Sequence, residues 1–367
     1  MEETKPIRLL SLDALRGFDM FWIIGGEGII HTLKSYTGFP LFVWMSDQLK
    51  HVEWNGFHFY DLIFPLFLFL SGVAMPFSLS KQIEKGIPKN KIYLKVLRRA
   101  ALLVIFGVFY NGQRDWSFQN IRYASVLGQI GIAYFLASII FLNTNWKQQI
   151  YWVGGILLGY WAIQNLIPVP GYGAGVLTEE GSINGFIDRM LMPGRLYLGI
   201  FDPEGWLVKI SATATALMGA LTGSFIKNNK INSFTKIGCL LIASGTLLIL
   251  SLLINFIYPI NKNLWTSSFA LHTAGWSVLL LTIFYLVIDV LNYKKWAFFF
   301  VVIGMNSITV YLASSWFDYT RTVKKIFGGL IPLFDKGIQP AIFACCVIAI
   351  EWALLYFLYK KKIFMRV

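Results

Sequence analysis

Repeated apolar stretches about as long as a bilayer is thick constrain this chain more than any other feature of its sequence. A helix needs about 20 apolar residues to cross the hydrocarbon core, and ten stretches approach that length. They are residues 12–31, 59–80, 92–110, 122–142, 149–167, 206–226, 235–257, 267–291, 296–317 and 339–359. With 56% hydrophobic and only 14% charged residues, the composition excludes an ordinary soluble domain. The sequence therefore predicts an all-α, polytopic integral membrane bundle of about ten transmembrane helices, with residues 1–367 forming one domain.

The basic residues indicate how the chain is oriented in its membrane. The net charge is +13, and Lys and Arg gather in connections at 81–99, 227–236, 294–295 and 360–362. Because basic loops stay on the cytoplasmic side, both termini are predicted to be cytoplasmic. The same rule explains the positive charge, so no nucleic-acid partner is expected. The Gly- and Pro-rich segment 168–205 then faces outside and is expected to cover the outer mouth as a cap loop.

The first apolar stretch carries charges that are costly in lipid. Asp13, Arg16 and Asp19 recur every three residues and share one helix face, and each charge left in hydrocarbon costs at least about 2.5 kcal/mol. They must therefore face the bundle interior, and a cleaved signal peptide is not expected here. An Asp13–Arg16 pair could fix helix packing, whereas a phosphate contact would suit the Arg16 guanidinium. Glu27 lies among glycines nearer the outer end, where a substrate could approach.

A polar cluster precedes the second apolar stretch. His51 is the side chain best suited to exchange a proton near neutral pH, although a solvated loop histidine is the structural alternative. Asp61 could orient one of its ring nitrogens and leave the other as a base. Trp54 and Asn55 offer the stacking and hydrogen-bonding groups that bind sugars, while His58 is expected to form hydrogen bonds at the start of the helix.

Four further polar residues lie within or beside apolar stretches. Arg122 and Gln129 are seven residues apart and share a helix face, so both could line the interior, although Arg122 could instead reach to the membrane surface. Asn306 and Ser307 could hold helices together or contact a ligand.

Other familiar chemistries find no support in the sequence. Cys239, Cys345 and Cys346 lie in apolar stretches without metal-ligand spacing, so neither a disulfide nor a metal site is predicted. The chain also has no phosphate-binding loop, no Ser-His-Asp order and no dinucleotide-binding fingerprint.

Several short motifs nevertheless occur in an order that resembles a known family. They are Ser11-Leu12-Asp13-Ala14-Leu15-Arg16-Gly17, Trp54-Asn55-Gly56, Asp61-Leu62-Ile63-Phe64-Pro65, Val169-Pro170-Gly171, Phe186-Ile187-Asp188-Arg189, Asp202-Pro203-Glu204-Gly205, Asn261-Lys262-Asn263-Leu264-Trp265, Gly304-Met305-Asn306-Ser307 and Tyr359-Lys360-Lys361-Lys362-Ile363-Phe364. Together they resemble the transmembrane heparan-alpha-glucosaminide N-acetyltransferase family and its bacterial NagX relatives.

The resemblance implies transfer of an acetyl group from acetyl-CoA to the amine of glucosamine or a related amino sugar, with the family's catalytic histidine at His51. His51 would act as the base, or carry the acetyl group itself, while Asp61 orients it and Glu27 holds the acceptor. The chain differs from the lysosomal enzyme at Glu27, where that enzyme has asparagine, and at Gly128-Gln129, where it has Gln-Arg. The large luminal N-terminal domain of the animal enzyme is expected to have no counterpart here, so a free amino sugar or short glycan is the expected acceptor.

The remaining sites follow from the same interpretation. Predicted coenzyme A contacts are Arg16, Arg122, Gln129, Asn306 and Ser307. Predicted acceptor contacts are Trp54, Asn55 and Asp19. The expected location is a bacterial inner membrane, with an amino sugar, coenzyme A and lipid as partners, and a homodimer is left open. The alternative function is a membrane transporter of N-acetylglucosamine or a related amino sugar, although the inverted repeats typical of transporters are not evident.

Overall fold

A computed structural model describes residues 9–112 and 117–365, and most of these residues are helical. The α-helices are Leu10–Phe21, Glu27–Thr37, Pro40–Gln48, Ile63–Val73, Met75–Glu84, Lys89–Asn111, Val126–Asn143, Trp146–Leu166, Ile183–Leu191, Val208–Lys227, Ser233–Asn255, Ser267–Phe284, Phe298–Gly304, Ser307–Trp316, Tyr319–Phe327 and Gln339–Lys360. Two π-helical segments, Trp22–Gly26 and Tyr285–Val290, and two 3₁₀ turns, Phe59–Leu62 and Ile331–Leu333, complete the helical elements. Within these ranges β-structure is limited to two isolated bridges. The predicted all-α fold is confirmed.

Five described helices are long and apolar enough to cross a bilayer. They are Phe59–Glu84, Val126–Asn143, Ser233–Asn255, Ser267–Val290 and Gln339–Lys360. The pair Phe298–Gly304 and Ser307–Trp316, bent by 71°, is a sixth candidate if it counts as one span. The structure thus confirms several membrane-capable helices but not the predicted count of about ten. Some predicted stretches are interrupted or partly polar: 12–31 is broken by a π-helical turn, and Lys89–Asn111 begins with several basic residues.

The described chain divides into two compact units. The first, here called unit 1, contains the residues up to His51, His58–Ile63 and the residues from Leu280 onward. Unit 2 contains Val52–Phe57 and Phe64–Leu279. The single domain expected from the sequence stays a prediction.

In unit 1 the first helix packs directly against the backbone of Phe298–Gly304. A Cβ atom added at Gly17 would lie 1.8 Å from the Phe300 carbonyl oxygen, and one at Gly304 would lie 1.9 Å from the Asp13 carbonyl oxygen. Only glycine permits so close an approach, as in small-residue contacts between membrane helices. The Asp289 carboxylate accepts hydrogen bonds from the Leu10 and Ser11 N–H groups, at 3.3 and 3.1 Å. It thus supplies partners for N–H groups that have none within the first turn of the helix.

A π-helical turn, Trp22–Gly26, interrupts the first membrane stretch. Gly25 has φ +127°, a backbone conformation that other residues rarely adopt, and it kinks the chain just before Glu27–Thr37. Single π-helical turns inserted between α-helices are frequent at functional sites. The kink lies between Asp19 and Glu27, two residues that the sequence analysis selected.

In unit 2 a buried polar network joins the segment 168–205 to the helices. Gln164 donates to Asn184 Oδ1 at 2.6 Å, Asn184 donates to the Tyr160 hydroxyl at 2.8 Å, and Tyr160 donates to the Leu264 carbonyl at 2.7 Å. Each of these side chains is fully buried, so the network must be satisfied internally. Asn184 thus anchors the helix Ile183–Leu191 to the helix Trp146–Leu166, which carries Tyr160 and Gln164.

Candidate active site

Backbone and side-chain hydrogen bonds close the loop that carries His51. The His58 ring donates through Nδ1 to the Lys50 carbonyl at 3.1 Å, and Gln48 Oε1 accepts from the Phe59 N–H at 3.2 Å. These contacts join the end of Pro40–Gln48 to the 3₁₀ turn Phe59–Leu62 within unit 1. These hydrogen bonds hold the two ends of the loop together and so fix the backbone beside His51.

The Asp61 carboxylate contacts residues at both ends of this loop, His51 and His58. Its Oδ1 lies 2.7 Å from His51 Nδ1, and its Oδ2 accepts from the His58 N–H at 3.1 Å. The Asp61 side chain is completely buried, whereas 51% of the His51 side chain is exposed. The predicted contact between these two residues is present in the structure. Its catalytic role stays a prediction.

The direction of this hydrogen bond determines which nitrogen of His51 can act as a base. An ionised carboxylate only accepts hydrogen bonds, so the proton between the two groups belongs to His51 Nδ1. The neutral ring then carries its lone pair on Nε2. A half-exposed ring with this tautomer can accept a proton from a substrate while Asp61 stabilises the resulting positive charge.

Tyr60, which the sequence analysis did not select, lies beside two of the predicted catalytic residues. Its ring centroid is 4.8 Å from that of His51, and its hydroxyl lies near enough to the Glu27 carboxylate to feel its charge. Glu27 itself is half-buried at the start of Glu27–Thr37. In the sequence, an aromatic residue within an apolar run suggests a packing role. Only the geometry of the 3₁₀ turn shows that Tyr60 lies beside His51.

The predicted charges of the first helix are largely buried, as expected. Asp13 is 8% and Asp19 is 1% exposed, while Arg16 is half-buried. Asp19 Oδ2 and the indole Nε1 of Trp22 are both buried without a hydrogen-bond partner among the described residues. Since buried polar atoms are normally paired, two such atoms on one helix face call for an explanation.

Asn306 and Ser307 lie at the break between the two bent helices of unit 1. The Asn306 amide donates to the Ile363 carbonyl at 3.2 Å, and its oxygen accepts from the Met365 N–H at 3.3 Å. Asn306 therefore holds the segment after Gln339–Lys360. Ser307 is 7% exposed and begins the second helix of the bent pair. A contact of either residue with coenzyme A stays a prediction.

In unit 2, the predicted acceptor residues Trp54 and Asn55 form structural contacts. The Trp54 indole donates to the Leu177 carbonyl at 2.8 Å, and Asn55 Oδ1 accepts from the Asn261 amide at 3.0 Å. Gly56, at φ +120°, donates its N–H to the Ile260 carbonyl at 2.8 Å. Two motifs of the family resemblance, around Asn55 and Asn261, thus pair with each other. A substrate contact of Trp54 or Asn55 stays a prediction.

Arg122, predicted to contact a coenzyme A phosphate, is engaged with two carboxylates of unit 2. Its Nε lies 2.8 Å and its Nη2 lies 2.6 Å from Asp202, and Nη2 also contacts Glu204. Its guanidinium packs 4.5 Å from the centroid of the Tyr197 ring. A guanidinium offers five donors, so this pairing orients Arg122 and stabilises the end of segment 168–205.

Gln129, the other predicted coenzyme A contact of unit 2, is fully buried. Neither its amide nitrogen nor its amide oxygen has a hydrogen-bond partner among the described residues. Leaving a buried polar atom unpaired costs about 1–3 kcal/mol. A contact of Gln129 with coenzyme A stays a prediction.

A buried carboxyl near the Arg122 pair is perturbed by its surroundings. The pKa of Asp188 is raised to about 6, chiefly because burial disfavours its charge and also because of the nearby negative charge of Asp202, while the Trp206 N–H and Lys209 oppose the shift. Asp188 Oδ1 accepts from the Trp206 N–H at 2.9 Å, whereas Oδ2 has no hydrogen-bond partner among the described residues. Asp188 is therefore a pH-sensitive group of unit 2.

Metal and thiol chemistry have few candidate groups in the part of the chain that the structure describes. No group of three or more His, Cys, Asp or Glu side chains there is arranged to hold a metal ion. Cys239, Cys345 and Cys346 are free thiols.

Comparisons with known proteins agree with the motifs. A family model described as Domain of unknown function (DUF5009) matches residues 8–162. The human heparan-alpha-glucosaminide N-acetyltransferase is 27% identical over an alignment of 427 positions. The alignment covers 99% of this chain and 60% of the human protein. The mouse enzyme of the same name is also 27% identical, over 98% of this chain and 60% of its own length. The chain spans about three fifths of the length of these relatives. The predicted resemblance to the heparan-alpha-glucosaminide N-acetyltransferase family is thus confirmed along nearly the whole chain.

Proposed function

We propose that this protein is a transmembrane N-acetyltransferase that moves the acetyl group of acetyl-CoA onto the amine of glucosamine or a related amino sugar. The observation that carries the proposal is the 2.7 Å contact between His51 Nδ1 and the fully buried Asp61 carboxylate. The 27% identity to two N-acetyltransferases over almost the entire chain supports the reaction class.

His51 acts as the base in this proposal. An amino sugar near neutral pH is an ammonium ion, which has no lone pair with which to attack a thioester. The Glu27 carboxylate attracts the ammonium, and His51 Nε2 removes a proton while Asp61 holds Nδ1–H and stabilises the imidazolium. General-base assistance of this kind accelerates reactions by about 10²- to 10⁴-fold.

The transfer forms one carbon–nitrogen bond and breaks one carbon–sulfur bond. The amine nitrogen forms a bond to the thioester carbonyl carbon, whose oxygen becomes negative until the carbon–sulfur bond breaks. The nitrogen loses two protons in passing from ammonium to amide. One reaches the sulfur of coenzyme A, through His51, and the other is released to water. Direct transfer is favoured over an acetyl-histidine intermediate because it needs only one chemical step at the carbonyl.

The donor contacts are proposed on chemical grounds. The Arg16 and Arg122 guanidinium groups suit phosphate oxygens, and the Gln129 amide suits the amides of the pantetheine arm. Asn306 and Ser307 remain proposed donor contacts. Because Arg122 already pairs with the two carboxylates of Asp202 and Glu204, a phosphate contact there would require one of them to move away or to be protonated.

Trp54, Asn55 and Asp19 remain the proposed acceptor contacts. Each side chain has the chemistry for a sugar: an indole for stacking, an amide and a carboxylate for hydroxyl groups. The proposed location is a bacterial inner membrane with both termini cytoplasmic, so the reaction would take place within or at the outer side of the bilayer.

A purified preparation in detergent tests the proposal. Acetyl-CoA and glucosamine are supplied, and free coenzyme A thiol and N-acetylglucosamine are measured. We expect both products in equal amounts, with thiol release dependent on glucosamine. His51→Asn should abolish the reaction, whereas the control His31→Asn, which changes a histidine of the same unit outside this loop, should retain it.

Two outcomes would change the proposal. Absence of glucosamine-dependent thiol release, combined with sugar uptake into proteoliposomes, would replace the enzyme with the alternative transporter. A radiolabel that remains on His51 after acetyl-CoA alone, and that hydroxylamine removes, would replace direct transfer with an acetyl-histidine intermediate.

A further inference from the structure

Two unpaired polar atoms lie where the first helix of unit 1 meets the π-helical turn. Asp19 Oδ2 and Trp22 Nε1 are both buried without a hydrogen-bond partner among the described residues. Residues three apart on a helix have Cβ atoms about 5–6 Å apart. One atom is an acceptor and the other is a donor, a combination that matches a hydroxyl group.

The backbone beside these atoms is irregular. Trp22 begins the π-helical turn that ends at Gly26, and Gly25 adopts φ +127°. This turn separates Asp19 and Trp22 from Glu27, which begins the next helix. Such a turn widens the helix and changes where the following side chains lie, and it commonly accompanies a functional site.

The 3₁₀ turn Phe59–Leu62 connects this surface to the proposed base. The Phe59 ring packs against Trp22, with centroids 5.8 Å apart, and the next residue, Tyr60, lies beside both Glu27 and His51. The residue after that, Asp61, holds the His51 ring. Three consecutive residues thus lie beside Trp22, Glu27 and His51, all within unit 1.

We propose that Asp19, Trp22 and Glu27 form the acceptor subsite of unit 1, with Tyr60 as the residue that positions Glu27 beside His51. Asp19 accepts from a ring hydroxyl of the sugar and Trp22 donates to one. Glu27 binds the ammonium. The inference rests on the proposed function for the identity of the acceptor and adds Trp22 and Tyr60 to the residues that bind it.

Two variants that each remove a single polar group test this subsite. Trp22→Phe keeps an aromatic ring but loses the indole N–H, and Tyr60→Phe keeps the ring against His51 but loses the hydroxyl. Matched controls are Trp44→Phe and Tyr36→Phe, which change exposed residues of the same unit. The readout is the Kd for radiolabelled glucosamine, measured by equilibrium dialysis without acetyl-CoA, so it does not depend on transfer.

We expect each test variant to raise the Kd for glucosamine about 3- to 10-fold, as the loss of one hydrogen bond predicts, with no change in the controls. Competition by cyclohexylamine, an amine without hydroxyl groups, should weaken in Tyr60→Phe but not in Trp22→Phe. Asp19→Asn changes the same hydroxyl contact and provides a second measurement should Trp22→Phe fail to fold.

Equal Kd values for the test and control variants, or no binding of glucosamine by the parent protein, would overturn the subsite. Binding that shows the expected pattern in a protein that never transfers acetyl groups would instead overturn the proposed function and leave the subsite in place.

Discussion

The buried carboxylate of Asp61 lies 2.7 Å from Nδ1 of the half-exposed His51 ring. In the neutral ring this relationship places the proton on Nδ1 and the lone pair on Nε2. The second oxygen of Asp61 is used by the His58 N–H, so the carboxylate cannot rotate without a cost to the loop.

Replacing Asp61 with asparagine should therefore impair the chemical step. The amide introduced by Asp61→Asn would favour a proton on Nε2 of His51, which removes the base, and we expect kcat to fall about 10²- to 10⁴-fold. The control is Asp47→Asn, because Asp47 is an exposed carboxylate of the same unit that pairs with Lys34. Steady-state acetyl transfer measures both. Equal kcat values for Asp61→Asn and the control would contradict the orienting role.

The close contact between the first helix and Phe298–Gly304 predicts a strong effect of a single methyl group. Gly17→Ala would place Cβ 1.8 Å from the Phe300 carbonyl oxygen, and we expect destabilisation of at least about 1–3 kcal/mol, because the obstacle is backbone. Thermal melting in detergent measures the change. Gly154→Ala is the control, since a Cβ there meets nothing within 4 Å and alanine favours a helix. A melting temperature for Gly17→Ala at or above that of the control would contradict this packing.

Removing the Arg122 guanidinium should destabilise the end of segment 168–205. Arg122→Met leaves Asp202 and Glu204 as buried charges without their partner, a change that typically costs about 3–5 kcal/mol. We expect a lower melting temperature and faster proteolysis after residue 195. Arg321→Met is the control, because its partner Asp318 is 3.9 Å away and both side chains are exposed. A raised KM for acetyl-CoA without loss of stability would instead favour a donor-binding role for Arg122.

Asp188 should make the stability of unit 2 depend on pH. Its pKa of about 6 in the folded protein exceeds the ordinary value of 3.8, so the folded state binds more protons between these values. The contribution of Asp188 to the free energy of unfolding is therefore fully present below about pH 4. It is lost as pH rises through 6, and the loss amounts to about 3 kcal/mol at most.

The comparison between Asp188→Asn and the parent isolates this effect. Relative to the parent, the variant should gain stability as pH increases from 4 to 7, whereas Glu180→Gln, in the same segment, should follow the parent profile. Chemical denaturation at a series of pH values measures the difference. Parallel profiles for Asp188→Asn and the parent would show that the carboxyl is not perturbed.

The sequence predicted the features that depend on local pattern. Long apolar stretches indicated membrane-capable helices, and the nine residues between His51 and Asp61 form a segment short enough for a loop to bring the two side chains together. Burial of Asp13 and Asp19 followed from the cost of charge in lipid.

Other contacts could not be predicted because they join distant positions or depend on irregular backbone. Arg122 meets Asp202 and Glu204 about 80 residues away, and neither spacing nor periodicity encodes such a pairing. The π-helical turn at Trp22–Gly26 has no distinctive pattern beyond its glycines, so Trp22 resembled packing. Tyr60 was hidden in an aromatic run for the same reason.

A structure with a non-transferable acetyl-CoA analogue, in which a methylene replaces the thioester sulfur, tests the role of His51 most directly. Direct transfer requires the acceptor nitrogen to lie within a hydrogen bond of His51 Nε2 and within a near-attack contact of the carbonyl carbon. The distance between His51 Nε2 and the carbonyl carbon should therefore be no more than about 6 Å. A bound carbonyl carbon roughly 10 Å or more from the ring, beyond the reach of a single shared amine, would contradict the assignment of His51 as the base.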